Sequence, residues 1–84
     1  MAERQAWLRC EVAPGMFSNE KAIGVTTAEG KVVSFFISDD FVKDDEIVVK
    51  IVARNGEYGV VALPARTFEG SNVARVPMQS LRFV

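Results

Sequence analysis

The stretch Glu46-Ile47-Val48-Val49-Lys50-Ile51-Val52-Ala53-Arg54-Asn55-Gly56-Glu57-Tyr58-Gly59-Val60-Val61-Ala62-Leu63 decides the fold. Two β-branched runs flank an Asn-Gly pair, the strongest short-range signal for a hairpin. Both residues of the pair tolerate positive φ, as a two-residue type I′ turn requires. That turn sets Arg54 opposite Glu57, Ala53 opposite Tyr58, Ile51 opposite Val60 and Val49 opposite Ala62. One face then carries Ile47, Val49, Ile51, Ala53, Tyr58, Val60 and Ala62 without a charge, and it is expected to be core. Each Val or Ile buried there contributes about 1.5–3 kcal/mol. The other face carries Val48, Val52, Val61 and Leu63 between Lys50, Arg54, Glu57 and Gly59. A solvated strand face should be polar, so four large aliphatics there mark a surface that something covers.

The same logic applies upstream. Trp7 to Val12 alternates, with Leu8, Cys10 and Val12 on one face and Trp7, Arg9 and Glu11 on the other, the period of a half-buried strand. Residues 1–6 read as a polar lead-in. Ala13-Pro14-Gly15 ends the strand, and Met16 and Phe17 are two large apolar side chains in the loop that follows. Lys21–Thr27 and Lys31–Ile37 form a second hairpin. A three-residue Ala28-Glu29-Gly30 turn with Gly30 in the left-handed bulge position aligns Ile23 and Val25 with Val33, Phe35 and Ile37. A two-residue turn would mix Ser34 into that face, so the longer turn is preferred. Gly24, on the opposite face, is read as a point of close backbone approach or strong bending.

Ser38 or Asp39 can cap one helical turn carrying Phe41 and Val42. Asp44-Asp45 then turns the chain into the central hairpin. After Leu63, Pro64 cannot donate in a central strand, and Thr67–Asn72 is a loop. Val73–Val76 is a short strand, Pro77-Met78-Gln79-Ser80 suits one 3₁₀ turn, and Leu81–Val84 closes the chain as a strand. The tail Arg75-Val76-Pro77-Met78-Gln79-Ser80-Leu81 resembles the strand, 3₁₀ turn, strand ending of SH3-like barrels. The acidic, tyrosine-containing motif of the signalling SH3 domains is missing, so their proline-peptide groove does not carry over. The turn at Ser38–Lys43 sits where OB folds place their helix, which keeps that barrel as the competing topology. The expected fold is all-β: one domain over residues 1–84, a partly open barrel of five to seven short antiparallel strands, SH3-like rather than OB-like.

Composition narrows the function classes. The chain has 84 residues, no histidine, one cysteine, 10 Lys and Arg against 11 Asp and Glu, and a net charge of −1. That balance supplies no general electrostatic grip on nucleic acid or anionic lipid. The commonest general base and zinc ligand is missing, and Cys10 cannot form an internal disulfide. A reducing, cytoplasmic setting fits. No apolar run is long enough to span a bilayer, and the N-terminus is not a secretory signal.

Three features bear on chemistry. Asp39, Asp40, Asp44, Asp45 and Glu46 offer oxygens to a hard cation, but their spacing does not match a calcium loop, so a cap and a solvated turn are expected and no metal. Cys10 lacks any activating histidine and is expected to be an inert buried thiol. Arg54, Arg66, Arg75 and Arg82 could converge on one rim and bind an anion or an RNA backbone, and aromatics facing out, Trp7 and Phe36, could stack bases or cage a methylated amine near Arg9 or Arg66. The preferred expectation is a non-catalytic interaction module, without cofactor, that binds another protein or its own copy. Its surface candidates are Trp7, Phe36, Val48, Val52, Val61 and Leu63. A small-barrel nucleic-acid binder is the alternative. An enzyme whose site is shared between subunits comes third.

Overall fold

The computed structural model describes residues 4–83, which form two antiparallel sheets. In chain order the strands are β1 (Arg4–Arg9), β2 (Glu11–Pro14), β3 (Glu20–Thr26), β4 (Val32–Ser38), β5 (Val42–Lys43), β6 (Glu46–Asn55), β7 (Tyr58–Ala62), β8 (Val73–Pro77) and β9 (Leu81–Phe83). The large sheet runs β8-β7-β6-β1-β9, with β5 paired to the start of β6, and the small sheet runs β2-β3-β4. The all-β, open architecture is as expected. The strands number nine among the described residues, more than five to seven, because the predicted Trp7–Val12 strand is two strands and β5 is added. The chain changes sheet at Cys10, whose N–H donates to Asp45 O at 2.9 Å. β1 begins at Arg4, so the expected lead-in is already strand there, and residues 1–3 lie outside the described residues, as does Val84.

Alternation explains the core. Ala6 and Leu8 from β1, Ile23 and Val25 from β3, Phe35 and Ile37 from β4, and Ile47, Val49 and Ile51 from β6 are buried in one cluster with Cys10. The β3–β4 hairpin has the expected register: Ile23 faces Phe35 and Val25 faces Val33. Its three-residue turn closes with Thr27 N–H donating to Lys31 O at 2.7 Å, and Gly30 takes a φ of 87°. Only a residue without Cβ accepts that angle at low cost.

The central hairpin departs from expectation. Asn55 faces Tyr58 and Arg54 faces Gly59, so the turn residues are Gly56 and Glu57. Gly56 has a φ of 56° and Glu57 is not in the positive region, the pattern of a type II′ turn rather than type I′. Ala53 faces Val60, but Ile51 faces Val61, with a bulge between. The extra residue, Val52, reverses which side of β7 meets the inner side of β6. Val61 and Leu63 are therefore core, at 0% and 7% exposure, and leave the candidate interaction surface. Val60 and Ala62, expected inside, lie on the outer side. Gly59 takes an inward place under the second 3₁₀ turn, where a Cβ would meet Leu81 Cδ1 at 3.2 Å and Met78 Sδ at 3.4 Å.

The connections are as specific as the strands. Ser38 caps the 3₁₀ turn Asp39–Phe41 by accepting from Asp40 N–H at 3.3 Å. Asp44 follows with a φ of 57° and turns the chain into β6. The second 3₁₀ turn, Met78–Ser80, separates β8 from β9 as predicted. The segment from Pro64 to Asn72 is a built loop. Thr67 is buried, its N–H donates to Ser71 O at 2.7 Å, and its hydroxyl accepts from Ser71 N–H at 3.2 Å. Phe68 N–H donates to Ser34 O at 2.8 Å, so the loop lies along the edge of β4. The outer edge of β8 is also occupied. Ser71 Oγ accepts from Val73 N–H and donates to Val73 O, and Ala28 N–H donates to Arg75 O. Such contacts keep an edge strand from pairing with another chain.

Candidate interaction surface

The outer face of the large sheet holds three of the six sequence candidates. Trp7 lies opposite Val48 on β6 and Arg82 on β9. The Arg82 guanidinium stands 5.8 Å from the Trp7 ring centroid and also grips Glu46, with Nη2 to Oε1 at 2.6 Å and Nε to Oε2 at 3.2 Å. This hydrogen bond from Arg82, together with its charge, holds the Glu46 carboxyl below the usual carboxylate range, against a smaller opposing effect of burial. The Arg82 guanidinium is raised in turn. Trp7 is thus held half-buried between an aliphatic neighbour and a fixed cation.

Further along the same face, Val52 stands at the bulge with 56% exposure. Val60 lies there between Ala53 and Arg75, and Ala62 lies between Lys50 and Val73, which is itself 45% exposed. A shallow cleft of about 330 Å³ opens beside them, lined by Gln5, Phe41, Val48, Lys50, Ala62 and Pro64, among others. The surface is therefore apolar as expected, but Val60 and Val73 stand where Val61 and Leu63 were placed. Alternation within Val60-Val61-Ala62-Leu63 does not show this, since all four are apolar.

Phe36 belongs to a different surface. It lies on the outer face of the small sheet, and its ring meets that of Phe68 edge to face at 5.3 Å. A groove of about 310 Å³ runs beside the pair, floored by Ala13, Ala22 and Gly24 and bordered by Glu11 and Ser34. The Phe68 part of the loop lies against this sheet, through its ring contact with Phe36 and its N–H bond to Ser34. The pairing of Phe68 with Phe36 has no local signal in the sequence, because it depends on the bond from Phe68 N–H to Ser34 O. At the tip of the β2–β3 hairpin, Met16 and Phe17 project into solvent at 74% and 68% exposure.

The remaining constellations separate. Arg54 stacks on Phe83 at 4.6 Å, Arg66 donates to Gly70 O at 3.3 Å, and Arg75 pairs with Glu29 and stacks on Tyr58 at 4.9 Å. With Arg82 on Glu46, each arginine has its own local partner, and the cross-strand pair Arg54–Glu57 does not form, because Arg54 faces Gly59. Trp7 and Phe36 sit on different sheets, so they offer no common stacking platform. Cys10 lines a hollow with Arg9, Asp44, Asp45 and Glu46. Burial pushes its thiol up to about 11, and the Asp45 and Glu46 carboxylates add to the shift, the opposite of what a nucleophile needs. Among the described residues, no group of three His, Cys, Asp or Glu is placed to hold a metal ion, and no helix is long and apolar enough to cross a membrane. Comparison with protein families, with curated proteins and with solved structures finds no match to this chain.

Proposed function

We propose that this chain is a non-catalytic interaction module that binds a second copy of itself, or another protein, through the outer face of the large sheet. The observation that carries the reading is the bulge. It turns Val60 outside, on the face that also carries Trp7, Val48, Val52 and Val73, while Val61 and Leu63 already complete the core. The sheet has one inner face, and the small sheet covers it. Phe41 and Pro64 border the other side, and the Phe68 part of the Pro64–Asn72 loop is bound to β4. An apolar patch of this kind is how a small domain presents a partner surface, and a two-fold pair is its commonest occupant. An SH3-like rather than OB-like relationship for the barrel is supported by the strand, 3₁₀ turn, strand ending at Val73–Pro77, Met78–Ser80 and Leu81–Phe83. A cytoplasmic setting suits the single free thiol.

Sedimentation equilibrium at micromolar concentration tests the reading. The unaltered chain should sediment as a dimer. Val52→Asp, at an exposed position, should sediment as a folded monomer with an unchanged circular dichroism spectrum. A chain that remains monomeric at every concentration would reject self-association through this face.

A further inference from the structure

Gly24 lies in the middle of β3, where a glycine lowers stability by giving the unfolded chain extra freedom and the sheet no side chain to pack. Its backbone is not in the positive-φ region. A Cβ added there would stand 3.5 Å from Val32 Cγ1, 3.6 Å from Glu11 Oε1 and 3.8 Å from Glu11 Cβ. These are ordinary van der Waals distances, so neither conformation nor crowding demands glycine, and the expected close backbone approach is not present. What the missing side chain creates is the open floor of the groove between Glu11 and the Phe36–Phe68 pair.

We propose that this groove binds a lysine or arginine side chain presented by another protein. The floor of Ala13, Ala22 and Gly24 is smooth and apolar, which suits the aliphatic stem of such a side chain. Phe36 and Phe68, set edge to face, offer aromatic surface to the cation. The Glu11 carboxylate leans over Gly24 at the groove border, and among the described residues it has no hydrogen-bond or ion-pair partner. A second carboxylate stands on the neighbouring edge, where Glu69 Oε1 accepts from Ser34 N–H at 3.4 Å. By strand register Glu11 and Phe36 stand on opposite sides of the Ala22–Gly24 floor, so carboxylate and rings flank a side chain lying between them. A neutral aliphatic chain would fill the floor and leave Glu11 unpaired. An acidic chain would be repelled by it. This site lies on the small sheet, so it stands or falls independently of association through the large one.

The test is an amide-resolved NMR titration of the full chain with acetyl-arginine amide and acetyl-lysine amide, beside the neutral acetyl-citrulline amide and acetyl-norleucine amide. The cationic probes should shift the amides of Glu11, Gly24 and Phe36 in a saturable, salt-sensitive way. The neutral probes should bind at least about fivefold more weakly. Glu11→Gln should weaken the cationic probes by a similar factor. Gly24→Ala, whose added Cβ meets its neighbours at ordinary van der Waals distances, should keep a dispersed spectrum while weakening the shifts. If that variant fails to fold, the Glu11→Gln comparison decides alone. Equal binding of neutral and cationic probes, shifts that map elsewhere, or an undiminished response in Glu11→Gln would overturn the proposal.

Discussion

Replacing Val61 by alanine should destabilise the protein far more than the same change at Val60 or Val52. Val61 is fully buried, facing Ile51 on β6 and Ala74 on β8. Removing two methyl groups forfeits about 1.6 kcal/mol of transfer free energy at ~0.8 kcal/mol each. The space left among β-branched neighbours relaxes only in part, and that adds about 1 kcal/mol. A total near 2.5 kcal/mol should lower the melting temperature of a domain this size by about 10–20 °C. Val52 is 56% exposed, and its truncation should stay within about 0.5 kcal/mol. Val60 is half-buried and should fall between them. All three changes lose the same β-branched strand preference, so that term cancels when they are compared. Urea denaturation monitored by Trp7 fluorescence gives the three midpoints. The unbulged Asn-Gly register makes the opposite prediction, with Val60 inside and Val61 outside. A larger cost at Val60 than at Val61 would therefore refute the bulge and the core built on it.

Three further outcomes follow from local geometry. Gly56→Val forces a β-branched residue to positive φ and should cost about 1–3 kcal/mol in the same denaturation assay; because no atom lies within 4 Å of the added Cβ, an unchanged midpoint would mean the turn sits elsewhere. Cys10, with its thiol pushed up to about 11, should react with iodoacetamide at about pH 8 roughly a hundredfold more slowly than an unfolded thiol, and equal rates in native and denatured protein would contradict its burial. The Glu46 carboxyl is lowered mainly by its bond to Arg82, so the pair's contribution is present above the ordinary carboxylate pKa and is lost as pH falls through the lowered value. Glu46→Gln should flatten that acid limb of the stability curve, and an identical limb in the variant would show that the pair is not formed in solution.

The contrast between the two hairpins shows what was legible in the residues. In β3–β4 the two candidate registers differ in polarity, since one of them sets Ser34 against the core, and Gly30 is suited to only one of the turns. In β6–β7 both sides of Val60-Val61-Ala62-Leu63 are apolar, so burial cannot choose between them and the turn had to decide alone. Asn-Gly suited a type I′ turn, but the observed turn uses Gly56 as its first corner. A bulge at Val52 leaves no mark in a run of β-branched residues. Gly59 held the available clue: a glycine beside Tyr58 makes sense on the inner side, under Leu81 and Met78. The same limit applied to the surface. Trp7, Val48 and Val52 were visible as outward positions because alternation alone places them. The Phe36–Phe68 groove was not, because it depends on Phe68 N–H reaching Ser34 across the fold.

The proposed interaction surface is tested most directly by following the amide NMR shifts of the full chain as it is diluted from millimolar to low micromolar concentration. Association through the large sheet predicts concentration-dependent shifts concentrated at Trp7, Val48, Val52, Val60 and Val73, with the core amides of Val61 and Ile51 moving little. Shifts that do not change with concentration, or that gather on the small sheet instead, would contradict it.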